Sequence, residues 1–274
     1  MGQLTDQLAG GQWPDGGGLI AASRIPGTRL TEVAAQADFA VLPVGAVEWH
    51  GPHLPLGSDL ILAEGFAAEC AGTHRGVLFP SIAYTACPGQ TRPWPGTIAI
   101  RPETAVAYVS DVLEGILAAG FVRVLVVNGH DANMSTVRAA MEWVSGRHRA
   151  SLLLVNWFQL VTPEETAAIY GDLPARGHGG AYETSGVLGF DPAAVRLDAV
   201  EDLPVRPRLA TTHPYVLVES RPDPWAGWSG YVSRATEETG REVRRLAGRR
   251  LREIVDAWLA APLPGPPGPS GEPT

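Results

Sequence analysis

Lysine is absent from this chain: all 21 basic side chains among its 274 residues are arginine. Schiff-base chemistry, a Walker-type phosphate lysine and a lysine general base are therefore excluded. Cysteine is scarce as well. Cys70 and Cys87 are too few for a disulfide framework and lack the CxxC spacing of a zinc or redox motif. Both read as small buried residues, and Cys87 as an inert neighbour rather than a nucleophile. No run of roughly 18 apolar residues exists to cross a bilayer, and no basic segment followed by an apolar one opens the chain. A cytoplasmic location without membrane contact is expected. Positive charge is in deficit, with 29 acidic against 21 basic residues and a formal net charge of -8. No arginine stripe with interleaved aromatics tracks a phosphate backbone, so a nucleic-acid partner is not expected.

What is present suits a globular enzyme. Hydrophobic residues make up 45% of the chain and charged residues 18%, enough for one large α/β domain to bury a substantial core. Residues 1–20, containing GGQWPDGGG, are too glycine-rich for a regular element, and residues 262–274, PLPGPPGPSGEPT, are too rich in proline. Both are expected to be flexible or disordered segments around a catalytic domain over 21–261. Within that domain FAVLPVGAV (39–47), VRVLVV (122–127) and SLLLVN (151–156) are short and β-branched, as buried parallel strands are. Helices are predicted between them, over ILAEGFAAECA (61–71), Pro102 to Ala119 and Ala132 to Ser145. A last helix from about Thr236 to Ala260 gathers Val243, Leu246, Ile254, Val255 and Trp258 near one face, to pack across the sheet or against another subunit. The expected fold class is α/β, a single domain with a parallel or mostly parallel sheet flanked by helices.

Three segments carry chemistry. The first, VGAVEWHGPHLPLGSD (44–59), leaves the C-terminal end of a strand, where open α/β sheets bind ligands. One residue separates Glu48 from His50, so in extended backbone their side chains point the same way, and Asp59 returns to them at the start of the next helix. Carboxylate, imidazole and carboxylate suit zinc, manganese or iron. His53 in the same loop either orients a ligand or fixes the loop. The second, VLVVNGHDAN (124–133), ends a buried strand at Asn128 and delivers His130 to the same rim as a metal ligand. Asp131 and Asn133 are expected to satisfy free N–H groups of the helix that follows. The third, RGHGGAYETSGVLG (176–189), presents His178 and Glu183 near a helix start, adding a further carboxylate ligand and a titratable acid/base.

Together these segments resemble the creatininase family of amidohydrolases, which carries a stretch like EWHGPHLPLGSD, then NGH-x-x-N, then H-x-G-x-x-ETS. PWPGTIAI (93–100) is similar to the family's FPGT-type loop, GWSGYVSRATEETG (227–240) is similar to its late glycine region, and the resemblance runs over roughly 38–259. It implies an α/β fold, two divalent ions, with zinc ahead of manganese or iron, and homo-oligomers, commonly hexamers. Carried over by position, Glu48, Asp59 and His130 would hold one ion, and His50 and Glu183 the other. Asp59 would bridge them, and His178 would move protons, with Glu183 beside it in the catalytic set. Two positions depart from the pattern. Ala132 stands where the creatinine-opening member supplies a carboxylate, which assigns that role here to Glu183, and Thr91 stands where many relatives carry a histidine.

The expected activity is hydrolysis of a non-peptide amide C–N bond in a small or cyclic substrate by metal-activated water. The alternatives are a peptidase acting on a modified precursor peptide, a metal-dependent lyase or isomerase on a carbonyl substrate, and a metal-free oligomeric scaffold. Trp94, Tyr84, Trp157 and Tyr182 are the candidate substrate contacts, Trp94 foremost, against the competing reading that these aromatics pack the core.

Overall fold

Short apolar runs built from valine and leucine place the sheet at the centre of the molecule. The structure, a computed structural model, describes residues 12–87, 91–204 and 226–263. Five strands, β1 (Gly18–Ala21), β2 (Phe39–Val44), β3 (Arg75–Leu78), β4 (Arg123–Asn128) and β5 (Ser151–Asn156), lie in the order β1-β3-β2-β4-β5. Every pairing is parallel. A parallel sheet needs both faces covered, and the two-residue period of the strands supplies two apolar faces. Phe39, Val41, Leu125 and Val127 face one core, while Ala40, Leu42, Val44, Val124 and Val126 face the other.

Helices α1 (Leu30–Gln36), α3 (Pro102–Ala118) and α4 (Asn133–Ser145) cover the second face, through Val33, Val109, Leu113, Ile116, Val137 and Val144. The first face is covered by α2 (Ser58–Glu69), α6 (Ala181–Phe190) and the long α7 (Glu237–Ala260), with α5 (Pro163–Tyr170) adding Tyr170 to that core. Helix α7 starts at a capping box in which Thr236 and Thr239 exchange hydrogen bonds. Val243, Leu246 and Val255 are buried, and Ile254 and Trp258 pack half-buried against the same core. The apolar stripe predicted for this helix thus joins the core beneath the sheet.

Three differences from the sequence expectations concern the edges. Gly18–Ala21 pairs with β3, so the segment 1–20 does hold the start of a strand; Trp13 supports it by donating Nε1 to the Gly76 carbonyl at 3.0 Å. Residues 1–11 and 264–274 lie outside the described residues. Strand β2 stops at Val44 instead of continuing to 47, because the chain turns away at Gly45 toward the carboxyl end of the sheet. Finally, Asn133 does not cap α4, whose first turn carries no side-chain cap. Fully buried, it donates Nδ2 to the Gly45 carbonyl at 3.0 Å and to Asn128 Oδ1 at 3.2 Å, tying the ends of β2 and β4 together. Among the described residues no helix is long and apolar enough to cross a membrane.

Candidate metal centre

Chain connections run from β2 outward to β3 and then back across β2 to β4, so the strand order reverses between β2 and β4. Such a switch point opens a crevice beyond the carboxyl ends of the two strands. Glu48 and His50 lie on the loop leaving β2, His130 lies two residues beyond β4, and Asp59 sits in the first turn of α2, where the helix dipole favours a carboxylate. His178 and Glu183 come from the turn before α6 and from its first turn. Two glycines make this convergence possible. A Cβ on Gly45 would come within 2.9 Å of the Asp59 backbone carbon, and one on Gly129 within 2.0 Å of the Asp59 carbonyl oxygen. Any larger residue at either position would push Asp59 out of the crevice.

Asp59 is shared between two groups of side chains. Its Oδ1 is 3.1 Å from His50 Nε2, and Glu183 Oε2 is 3.8 Å from the same nitrogen. Its Oδ2 is 3.1 Å from His130 Nδ1, which also faces Glu48 Oε2 at 2.9 Å. Each histidine is aimed by a backbone carbonyl on its other side. His50 Nδ1 lies 3.0 Å from the Glu48 carbonyl oxygen, and His130 Nε2 lies 3.2 Å from that of Ala86. A carbonyl only accepts, so these nitrogens carry protons, and His50 Nε2 and His130 Nδ1 are the nitrogens turned to the carboxylates. Metal-binding histidines are oriented in this way.

Hydrogen bonding accounts for only part of the convergence, at His50 Nε2 and Asp59 Oδ1, 3.1 Å apart. One imidazole nitrogen cannot serve two carboxylates, and both Glu48 Oε2 and Asp59 Oδ2 are buried without an aligned donor despite their short distances to His130. Orphaned buried carboxylate oxygens cost free energy unless a cation satisfies them. The mixed oxygen and nitrogen set fits zinc, manganese or iron.

The electrostatics agree. Burial alone would hold His50 neutral, yet the Asp59 and Glu183 carboxylates push it up to about 10. Burial opposes charge on His130 too, and Glu48 and Asp59 override it, raising this group well above the ordinary imidazole value. Glu48 and Asp59, though desolvated, are held below the usual carboxylate range by the same imidazoles. Glu183 goes the other way, raised chiefly by burial. Three buried carboxylates in one crevice therefore draw positive charge, as protons or as metal ions.

His178 lies at the rim. Its ring stacks on His50 at 4.3 Å, its Nε2 is 2.6 Å from the Trp49 carbonyl oxygen, and one ring nitrogen groups with Glu48 and His50 within 4.8 Å. The turn that carries it is fixed by Glu183, whose Oε2 accepts from the Gly179 N–H at 2.6 Å. His53 holds the same turn from outside, its Nε2 2.8 Å from the Gly179 carbonyl oxygen and 3.1 Å from Thr184 Oγ1. It fixes the loop that carries His178.

Of the expected pocket aromatics, Trp94 is half-buried and stacks on Trp49 with ring centroids 5.5 Å apart, and Tyr84 is exposed. Trp157 and Tyr182 lie deeper. Both are buried in the core on the α6 face, stacked on each other at 5.0 Å, and Trp157 donates Nε1 to the Gly129 carbonyl. Their flat apolar area is used to pack α6 against the sheet. Two contributions escaped the sequence reading. The Thr91 hydroxyl donates to Glu48 Oε1, and Cys87 lies within 4.8 Å of the Glu48 and His130 ligand atoms. Neither is signalled by a spacing, since the path of the chain after β3 brings them in.

Comparison with known proteins gives the family and the fold. The creatininase family model, described as creatinine amidohydrolase, matches residues 25–255. The creatinine amidohydrolase of Pseudomonas putida is 26% identical over 242 residues, 81% of this chain and 90% of its own. The mycofactocin precursor peptide peptidase of Mycobacterium ulcerans (strain Agy99) is 28% identical over 247 residues, 84% and 87% of the two chains. The 3-dehydro-scyllo-inosose hydrolase of Thermotoga maritima is 26% identical over 157 residues, 57% of this chain, and the match spans only 48% of that relative's length. Among solved structures, a mutant creatininase of Zn-Zn type superposes with a TM-score of 0.76 at 22% identity, over 88% of this chain and 98% of its own. A manganese creatininase does so with a TM-score of 0.72 at 22% identity, over 88% and 99%. The sheet, its helices and the matched span together place the chain in the creatininase family of hydrolases.

Proposed function

We propose that this chain is a two-metal amidohydrolase that opens the C–N bond of a small or cyclic amide. Glu48, Asp59 and His130 hold one cation, and His50, Asp59 and Glu183 the other. The observation that carries this is Asp59, whose two oxygens each belong to a separate buried carboxylate and imidazole group. Bound there, a divalent pair supplies an activated water and polarises the substrate carbonyl. The other tasks fall to the chain's own residues. His178, held at the rim by its Nε2 on the Trp49 carbonyl, passes a proton to the departing amide nitrogen. Glu183 fixes the glycine turn beneath it and so sets the reach of that proton. The stacked Trp49 and Trp94 form an apolar wall beside the loop that carries Glu48, suited to a flat ring.

Zinc is the favoured ion, with manganese and iron tolerated by the mixed ligands. The active form is a homo-oligomer, favoured as a hexamer, in the cytoplasm, with the catalytic domain over 21–261. A peptidase acting on a modified precursor peptide is the second reading, favoured by the 28% identity to the peptidase of M. ulcerans. One screen tests both: metal-loaded protein is offered lactams, formamides and short peptides in heavy-oxygen water. Hydrolysis of a lactam or formamide, with solvent oxygen in the new carboxylate, supports the proposal. Cleavage of peptides alone supports the second reading, and product without solvent oxygen contradicts both.

A further inference from the structure

Among the described residues, a buried nucleophilic group beside the crevice stands outside the five proposed carboxylate and imidazole ligands. Cys87 is 1% exposed. Its sulfur, a Glu48 carboxylate oxygen and a His130 ring nitrogen all lie within 4.8 Å of one another. The backbone wraps His130 at this point, because Ala86 supplies the carbonyl that faces Nε2 and the next residue brings a thiol to the same ring. The approach is held from both sides: Thr85 donates its hydroxyl to the Gly45 carbonyl at 2.8 Å, and Ile100 N–H donates to the Thr85 carbonyl at 2.9 Å. On the same Glu48 carboxylate, Oε2 is buried without an aligned donor. An oxygen in need of a positive charge, an imidazole and a thiol thus surround one point. Cys70 has no such company and lies among the apolar side chains of the core.

We infer that Cys87 contributes a thiolate to the cation held by Glu48 and His130, an inference that rests on the two-cation reading above. The thiol gives up its proton to solvent as the sulfur binds. Asp59 Oδ2 lies 3.1 Å from His130 Nδ1; with Asp59 joining Glu48, His130 and Cys87, this pole would have four protein donors, the number that closes a tetrahedral zinc site. Substrate is consequently taken at the His50 and Glu183 pole. A soft sulfur ligand also selects zinc or iron over manganese at the Glu48 pole, while the all-oxygen-and-nitrogen pole stays permissive.

The full-length protein, stripped by chelation and refilled with cobalt(II), provides the test. Thiolate ligation gives a near-ultraviolet sulfur-to-cobalt charge-transfer band that oxygen and nitrogen ligands do not. The inference expects that band in the wild type and in Cys70→Ser, and its loss in Cys87→Ser. Because the wild-type and C70S spectra suffice, a folding failure of C87S does not spoil the result. Full cobalt uptake without the band overturns the inference and leaves the two-cation reading standing. A band lost in C70S also overturns it, whereas failure to take up cobalt at all defeats the two-cation reading and this inference with it.

Discussion

Asp59 is the residue on which the crevice turns. It is fully buried, sits on the first turn of a helix, and directs one oxygen to each pole. Replacing it by Asn should abolish binding of both cations, whereas Glu48→Gln should remove only the cation at its own pole; calorimetric zinc titration of the two variants reads the difference. Equal loss in both would mean that Asp59 does not bridge. His178→Ala should lower kcat by roughly 10²–10⁴-fold with metal content unchanged, and loss of metal in that variant would make His178 a ligand instead. The convergence of the acidic and imidazole residues was legible in the sequence because they come in short motifs at strand ends, where a parallel sheet gathers its loops. The carbonyls that aim them, and the Thr91 hydroxyl on Glu48, were not, since a backbone oxygen has no sequence signature and Thr91 arrives by the path of a long loop.

Helices α6 and α7 cross where neither carries a side chain. A Cβ on Gly240 would meet the Ser185 carbonyl oxygen at 2.6 Å and the Gly189 amide nitrogen at 2.7 Å, both backbone atoms that cannot swing aside. Gly240→Ala should therefore cost about 1–3 kcal/mol, measured as a lower urea midpoint, despite alanine's better helix propensity. An unchanged midpoint would show that the crossing is looser than this. Because α6 carries Glu183 and continues from the turn of His178, the crossing also positions half of the site. The central strands were readable from sequence because strands buried on both faces appear as continuous apolar runs. Strands β1 and β3 were missed because each is four residues long and contains a glycine, and α1, seven residues without a side-chain cap, gives no boundary signal.

Across the whole molecule, the loop after β2 and the turn before α6 are pinned to each other by His53, and this pin sets a pH dependence. Burial lowers the His53 pKa from 6.5 to about 4, aided by the nearby His50 and His178 and opposed by its bond to the Gly179 carbonyl. The folded group thus takes up its proton less readily than the unfolded one, so stability is full above 6.5 and is lost as pH falls through about 4. His53→Gln should flatten the fall in urea midpoint across that window, and a fall as steep as in the wild type would assign it to other groups. Cations bound only by the folded state add stability by mass action, about 2.7 kcal/mol at a concentration 100 times the Kd, so chelation should lower the melting temperature and zinc restore it. The central claim, that separate segments of chain grip a pair of divalent ions around Asp59, is tested most directly by elemental analysis of the refilled, gel-filtered protein. The account predicts about two ions per chain; saturation at one or none would contradict it.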